Sequence, residues 1–122
     1  MTKKLINYIF VIVLNNADYR GGIMRILLNW TDSSDVVECQ KEIAENLQYY
    51  QIEFDKWLQN RENQHGYWTV DGEGNEWGLE FGSNAFVKWL NENILIDEEK
   101  AVIVQTDIVP SLEEKKLPHI NF

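Results

Sequence analysis

One cysteine, Cys39, stands in a chain of 122 residues, so neither an internal disulfide nor a multi-cysteine metal site is open to it. A reducing compartment is the natural reading, and a lone cysteine inside a helical pattern reads as a small core residue. Histidine is almost as scarce: His65 and His119 are the two present, and neither falls in a ligand or triad spacing. There is no Gly-x-Gly-x-x-Gly, no phosphate-binding loop and no Gly-x-Ser-x-Gly elbow, which removes the nucleotide and hydrolase readings those motifs carry. Long apolar runs are missing too. The most apolar stretch, residues 5–14, has about half the roughly 20 residues that a membrane-spanning helix needs.

Lys3 and Lys4 give that stretch the outline of a signal peptide, but residues 15–18 lack the paired small residues of a cleavage site and Asn7 interrupts the run. Ile, Val, Tyr and Phe dominate it, so it is expected to form a strand covered on both faces.

Positive charge is the next deficit, with 11 Lys and Arg against 20 Asp and Glu and a net charge of −9. Residues 24–110 hold 17 of the acids and only 6 of the bases. Such a surface is repelled by phosphate backbones and anionic headgroups and steers basic partners toward itself. Nucleic acid and membranes are therefore disfavoured as partners, while the same excess also serves solubility.

What is present suffices for a core. With 44% hydrophobic and 12% aromatic residues, a chain of this length can bury about two-thirds of its unfolded surface as a single domain, 1–122. No repeat or linker divides it. Met24, Arg25 and Ile26 would also serve as a chain start, an alternative in which residues 1–23 are peripheral to the fold, and residues 111–122 read as a tail with apolar Ile120 and Phe122 at its end.

Along the chain, residues 23–30 predict a second strand, antiparallel to the first because a parallel crossover needs a dozen or more linking residues. Asp32 and Asp35 suit a helix N-terminus. Val36, Cys39, Ile43, Leu47, Tyr50, Phe54 and Leu58 then recur at three- and four-residue steps, predicting a helix over 35–59, about 37 Å long if unbroken. Alternation at Tyr50, Ile52 and Phe54 leaves a break near Tyr49 as the alternative. After a polar loop, residues 67–70 and 76–81 flank a glycine-containing turn and read as a hairpin. Ser83 opens a helix with Phe86, Trp89, Leu90 and Ile94 on one stripe, and residues 101–109 give a last strand ended by Pro110. The order β-β-α-β-β-α-β fits an α+β fold with a single mostly antiparallel sheet and helices on one face.

Asp71, Glu73 and Asn75 have the alternation of the first calcium-loop ligands. Glu76, however, stands where the loop requires glycine, and Gly82 where it requires the closing acid, so no metal is expected and no cofactor is called for. Strand alternation puts Trp77, Leu79 and Phe81 on one face; if Trp68 and Val70 face inward, Tyr67 and Thr69 face out. Most of these rings belong to the core. A Tyr or Trp left exposed among Glu73, Glu76 and Glu80 would have the anchor-and-charge anatomy of a protein-binding site.

Small, acidic, rich in Trp and Tyr and free of catalytic motifs, the chain resembles the immunity proteins that protect bacteria from contact-dependent and other polymorphic toxins. The resemblance is one of size, charge and layout and carries over no individual residue. It implies a cytoplasmic, non-enzymatic inhibitor that binds a cognate toxin domain, commonly a basic nuclease. The expected contact face is Tyr67, Asp71, Glu73, Glu76, Glu80, Asp97, Glu98 and Glu99. Two other classes remain: a self-associating protein that pairs through the edge of residues 5–14, and a small enzyme using Cys39 and His65 if they converge.

Overall fold

The structure, a computed structural model, describes residues 22–122; the expected strand over 5–14 and its antiparallel pairing lie outside the described residues. Residues of the expected second strand form β1 (Ile23–Asn29), and a tight reversal follows in which the Trp30 amide donates to the Ser33 carbonyl at 2.8 Å. The chain then returns as β2 (Ser34–Gln40), antiparallel to β1 with Ile26 opposite Val37 and Met24 opposite Cys39. The expectation of one helix over 35–59 is therefore corrected. Val36, Cys39 and Ile43 satisfy a helical period, but adjacent Val36 and Val37 are both buried, one on each sheet face, which an amphipathic helix does not provide. Pairing with β1 on one side and with β5 (Val102–Ile108) on the other outweighs the local pattern.

Helix begins only at α1 (Lys41–Ala44), and after Glu45 and Asn46 continues as α2 (Leu47–Gln59), about 20 Å long. Asn46 marks the break, its side-chain amide donating back to the Glu42 carbonyl at 2.8 Å. Leu47, Tyr50, Phe54 and Leu58 form the buried stripe of α2 as the periodicity predicts.

The hairpin β3 (Trp68–Val70) and β4 (Glu76–Leu79) follows, then α3 (Ser83–Trp89) with a wider π turn at Leu90–Ile94, β5 (Val102–Ile108), a 3-10 turn at Glu114–Lys116, and β6 (His119–Asn121). Four strands pair in the order β5-β2-β1-β6, and the hairpin is a sheet of its own. The α+β class stands, but the sheet is not single, and β6 joins β1 in parallel, with Leu28 opposite Ile120. The apolar tail end thus becomes a strand: Ile120 enters the core, and Phe122 stacks on Trp30 with centroids 4.5 Å apart.

Asp35, expected at a helix N-terminus, instead ties three elements together. Its carboxylate accepts from the Ser83 hydroxyl at the start of α3 and from the Asp107 amide at 3.0 Å, while Trp30 Nε1 donates to Ser83 Oγ at 2.8 Å.

All helices contribute to one core cluster on one face of the larger sheet, where Ile26, Leu28, Val37, Cys39 and Ile120 meet Ile43, Leu47, Phe54, Leu58, Phe86, Trp89 and Leu90. Phe54, 1% exposed, is its hub: the rings of Phe81, Phe86 and Trp89 lie 5.4–5.5 Å from it, edge-on or tilted. These are favourable aromatic geometries, and truncating such a ring leaves a cavity its neighbours cannot close. Phe54→Ala is expected to cost about 3–5 kcal/mol in urea unfolding. A loss below about 1 kcal/mol would show that α2 does not bind the hairpin and α3 together in this way.

Candidate hairpin interface

Three local devices hold the hairpin in place. The first is His65, in the loop after α2. Its Nε2 donates to the Leu58 carbonyl at 2.9 Å, and its Nδ1 accepts the Tyr67 amide at 3.2 Å, which fixes the neutral tautomer. The ring lies 5.1 Å from Trp57 and 5.2 Å from Tyr67, so the end of α2 and the start of β3 are clamped through one imidazole.

The second is the turn. Asp71 Oδ1 accepts the amides of Glu73 at 2.8 Å and Asn75 at 3.0 Å, and Gly74 takes φ +84, a value that favours glycine. The backbone hydrogen bonds from Asn75 and Glu73 lower the Asp71 pKa below its ordinary 3.8.

The third is a bulge. Thr69 pairs with Gly78 but Val70 pairs with Glu76, so Trp77 is the extra residue opposite β3. Strand alternation is broken there, and Trp77 turns outward to 71% exposure while Leu79 and Phe81 pack on the core. The expectation that these three share a face is corrected by the bulge. Tyr67 packs its half-buried ring against the core and Val70 is exposed, so the arrangement with Val70 inward and Tyr67 outward is not the one adopted. Gly78 sits at a close approach: a Cβ there would stand 3.3 Å from Thr69 Oγ1, a tight contact, and that oxygen is buried without a hydrogen-bond partner among the described residues.

Trp68 lies under Arg61, whose guanidinium carbon is 3.7 Å from the ring centroid, and the same guanidinium pairs with Glu76. Arg61 was not among the expected site residues. Its contribution is geometric more than energetic, since both partners of the ion pair are largely exposed. Beside it opens a cleft of about 500 Å³ lined by Gly66, Tyr67, Trp68, Thr69, Val70, Trp77 and Glu80. The Glu80 amide donates to the Tyr67 carbonyl at 2.8 Å and sets these two lining residues side by side.

Of the expected contact residues, Asp71, Glu73, Glu76 and Glu80 are thus gathered, exposed, on the hairpin, and Tyr67 lines its cleft. Asp97, Glu98 and Glu99 belong to another turn, anchored by different elements. Lys100 Nζ donates to the carbonyls of Asn91 at 3.2 Å, Ile96 at 2.8 Å and Leu95, closing the end of the π turn, and Gln40 of β2 donates to the Glu99 carbonyl at 3.4 Å. Asp97 and Glu99 are exposed and Glu98 is half-buried.

Cys39 is buried in the core, where desolvation pushes its pKa up to about 12, so it carries no thiolate at neutral pH. No hydrogen bond joins it to His65, whose ring nitrogens are both engaged by backbone groups. Among the described residues no group of three or more His, Cys, Asp or Glu is placed to hold a metal ion, and no helix is long and apolar enough to cross a membrane.

The Asp71 turn gives a pH prediction. A carboxyl with a lowered folded pKa adds stability that is present above its unfolded value and is lost as pH falls through the folded one. In an NMR titration Asp71 should titrate below 3.8, with the Glu73 and Asn75 amides following it. Titration at or above 3.8 would mean that these amides do not point at the carboxylate.

No family model, curated protein or solved structure matches the chain.

Proposed function

We propose that the chain is a protein-binding module, an immunity protein that neutralises a cognate basic toxin domain in the cytoplasm by docking it on the hairpin face. The observation that carries the reading is Trp77: an indole 71% exposed that lines a cleft together with Glu80, on a hairpin that also exposes Glu73 and Glu76. Exposing that much aromatic surface stabilises nothing in the monomer, whereas Trp is the residue type most enriched among the anchors that dominate binding energy. The surrounding carboxylates supply the long-range part. They speed encounter with a basic surface and occupy positions that nucleic-acid phosphates would take on a nuclease. Asp97, Glu98 and Glu99 add to the field whether or not they touch the partner.

Self-association has one observation of its own. Among the described residues β5 is an outer strand of the four-stranded sheet, and it exposes Val102 and Val104, a surface that a second copy could cover. A concentration-dependent dimer broken by Val104→Lys would favour that reading.

The inhibitor reading predicts a division of labour that kinetics can resolve. Glu73→Lys with Glu80→Lys should slow association with the basic partner about tenfold or more at low salt and flatten the salt dependence, with little change in dissociation. Trp77→Ala should do the reverse, raising the dissociation rate by a factor corresponding to about 2 kcal/mol or more. Surface plasmon resonance reads both. Unchanged rates in the charge-reversed variant would remove the hairpin from the interface.

A further inference from the structure

Taken with the proposed basic partner, on which this step rests, we infer that the cleft at Tyr67, Trp77 and Glu80 is a receptor for one arginine side chain of that partner. The hairpin already displays the chemistry once within its own chain. Arg61 lays its guanidinium 3.7 Å over the Trp68 ring and is closed in by the Glu76 carboxylate. A planar cation between an indole face and a carboxylate satisfies its charge, its donors and its flat apolar surfaces together.

The cleft repeats those parts without the cation. Trp77 supplies an exposed indole, Tyr67 supplies further aromatic wall beside Trp68, whose face Arg61 already covers, and Glu80 is exposed with no ion pair among the described residues. No Lys or Arg among the described residues lines the cleft. The Glu80–Tyr67 backbone hydrogen bond at 2.8 Å holds acid and ring in register, and the bulge fixes Trp77 outward, so the receptor is preformed on strands and not on a mobile tip. Arginine fits better than lysine because a guanidinium stacks flat on indole and offers paired N–H groups to a carboxylate. It also fits better than an uncharged group, since none of the described residues lining the cleft answers the Glu80 charge.

The test uses the full-length protein and N-acetyl-arginine methylamide as the probe, followed by ¹⁵N NMR. The Trp77 indole and the Gly66 and Glu80 amides should shift saturably at millimolar probe, while the uncharged isostere N-acetyl-citrulline methylamide leaves them in place. Trp77→Ala and Glu80→Gln, both exposed positions, should each weaken probe binding about 3- to 30-fold with the spectrum otherwise preserved. Equal shifts from citrulline, or full affinity in Trp77→Ala, would overturn the arginine receptor. Probe binding without any basic partner recovered from the host would support the cleft and remove the inhibitor reading. A basic partner whose association responds to Glu73→Lys, with no probe response at Trp77, would do the opposite.

Discussion

The packing of aromatic rings around Phe54 is the constraint on which the rest depends. That one side chain, on the buried stripe of α2, meets Phe81 after the hairpin and Phe86 and Trp89 on α3. Phe81 and Phe86 in turn meet Phe122 at the chain end, which stacks on Trp30 at the β1–β2 reversal. All three α-helices and the strands β1, β2, β4, β5 and β6 place a side chain in this cluster or against it, β5 through Ile103. The hairpin has no hydrogen-bonded place in the larger sheet, so its position comes from these rings and from the His65 clamp. Two strands alone are marginal in water, and packing against the aromatic core supplies the difference.

That dependence explains how a small acidic chain displays a tryptophan. Tyr67, Leu79 and Phe81 commit one side of the hairpin to the core. The bulge at Trp77 then releases the neighbouring ring to the other side without disturbing the pairs at Trp68–Leu79 and Thr69–Gly78. Core packing, turn chemistry and the exposed anchor are consecutive in the sequence, and each fixes the next. The acidic residues ride on this scaffold, with Asp71 spent on the turn itself and Glu76 on Arg61, leaving Glu73 and Glu80 as the hairpin charges most available to a partner.

What could be read from the sequence was local. The strand at Ile23–Asn29, the stripe of α2, the hairpin with its Asp71 turn, α3 and the last long strand all follow from neighbours within a few residues. β2 did not, because Val36, Cys39 and Ile43 fit a helical period, and what makes them a strand is pairing with β1 and β5. The parallel β1–β6 pair joins residues more than 90 positions apart and has no local signature. At the site, the four hairpin acids were legible from charge and turn spacing. The outward turn of Trp77 was not, since strict alternation puts it with Leu79, and only the register shift reverses that; nor was Arg61 over Trp68, which depends on the path of the preceding loop.

The central claim is that the hairpin face is where a basic partner docks, and site-specific photo-crosslinking in the native host tests it most directly. p-Benzoylphenylalanine would replace Trp77 in one sample and Leu112, 80% exposed on the tail, in another. The account predicts one basic protein joined at position 77, lost when Glu73 and Glu80 are reversed in charge, and absent from position 112. The same products from both positions, or none from position 77 while position 112 captures a partner, would contradict it.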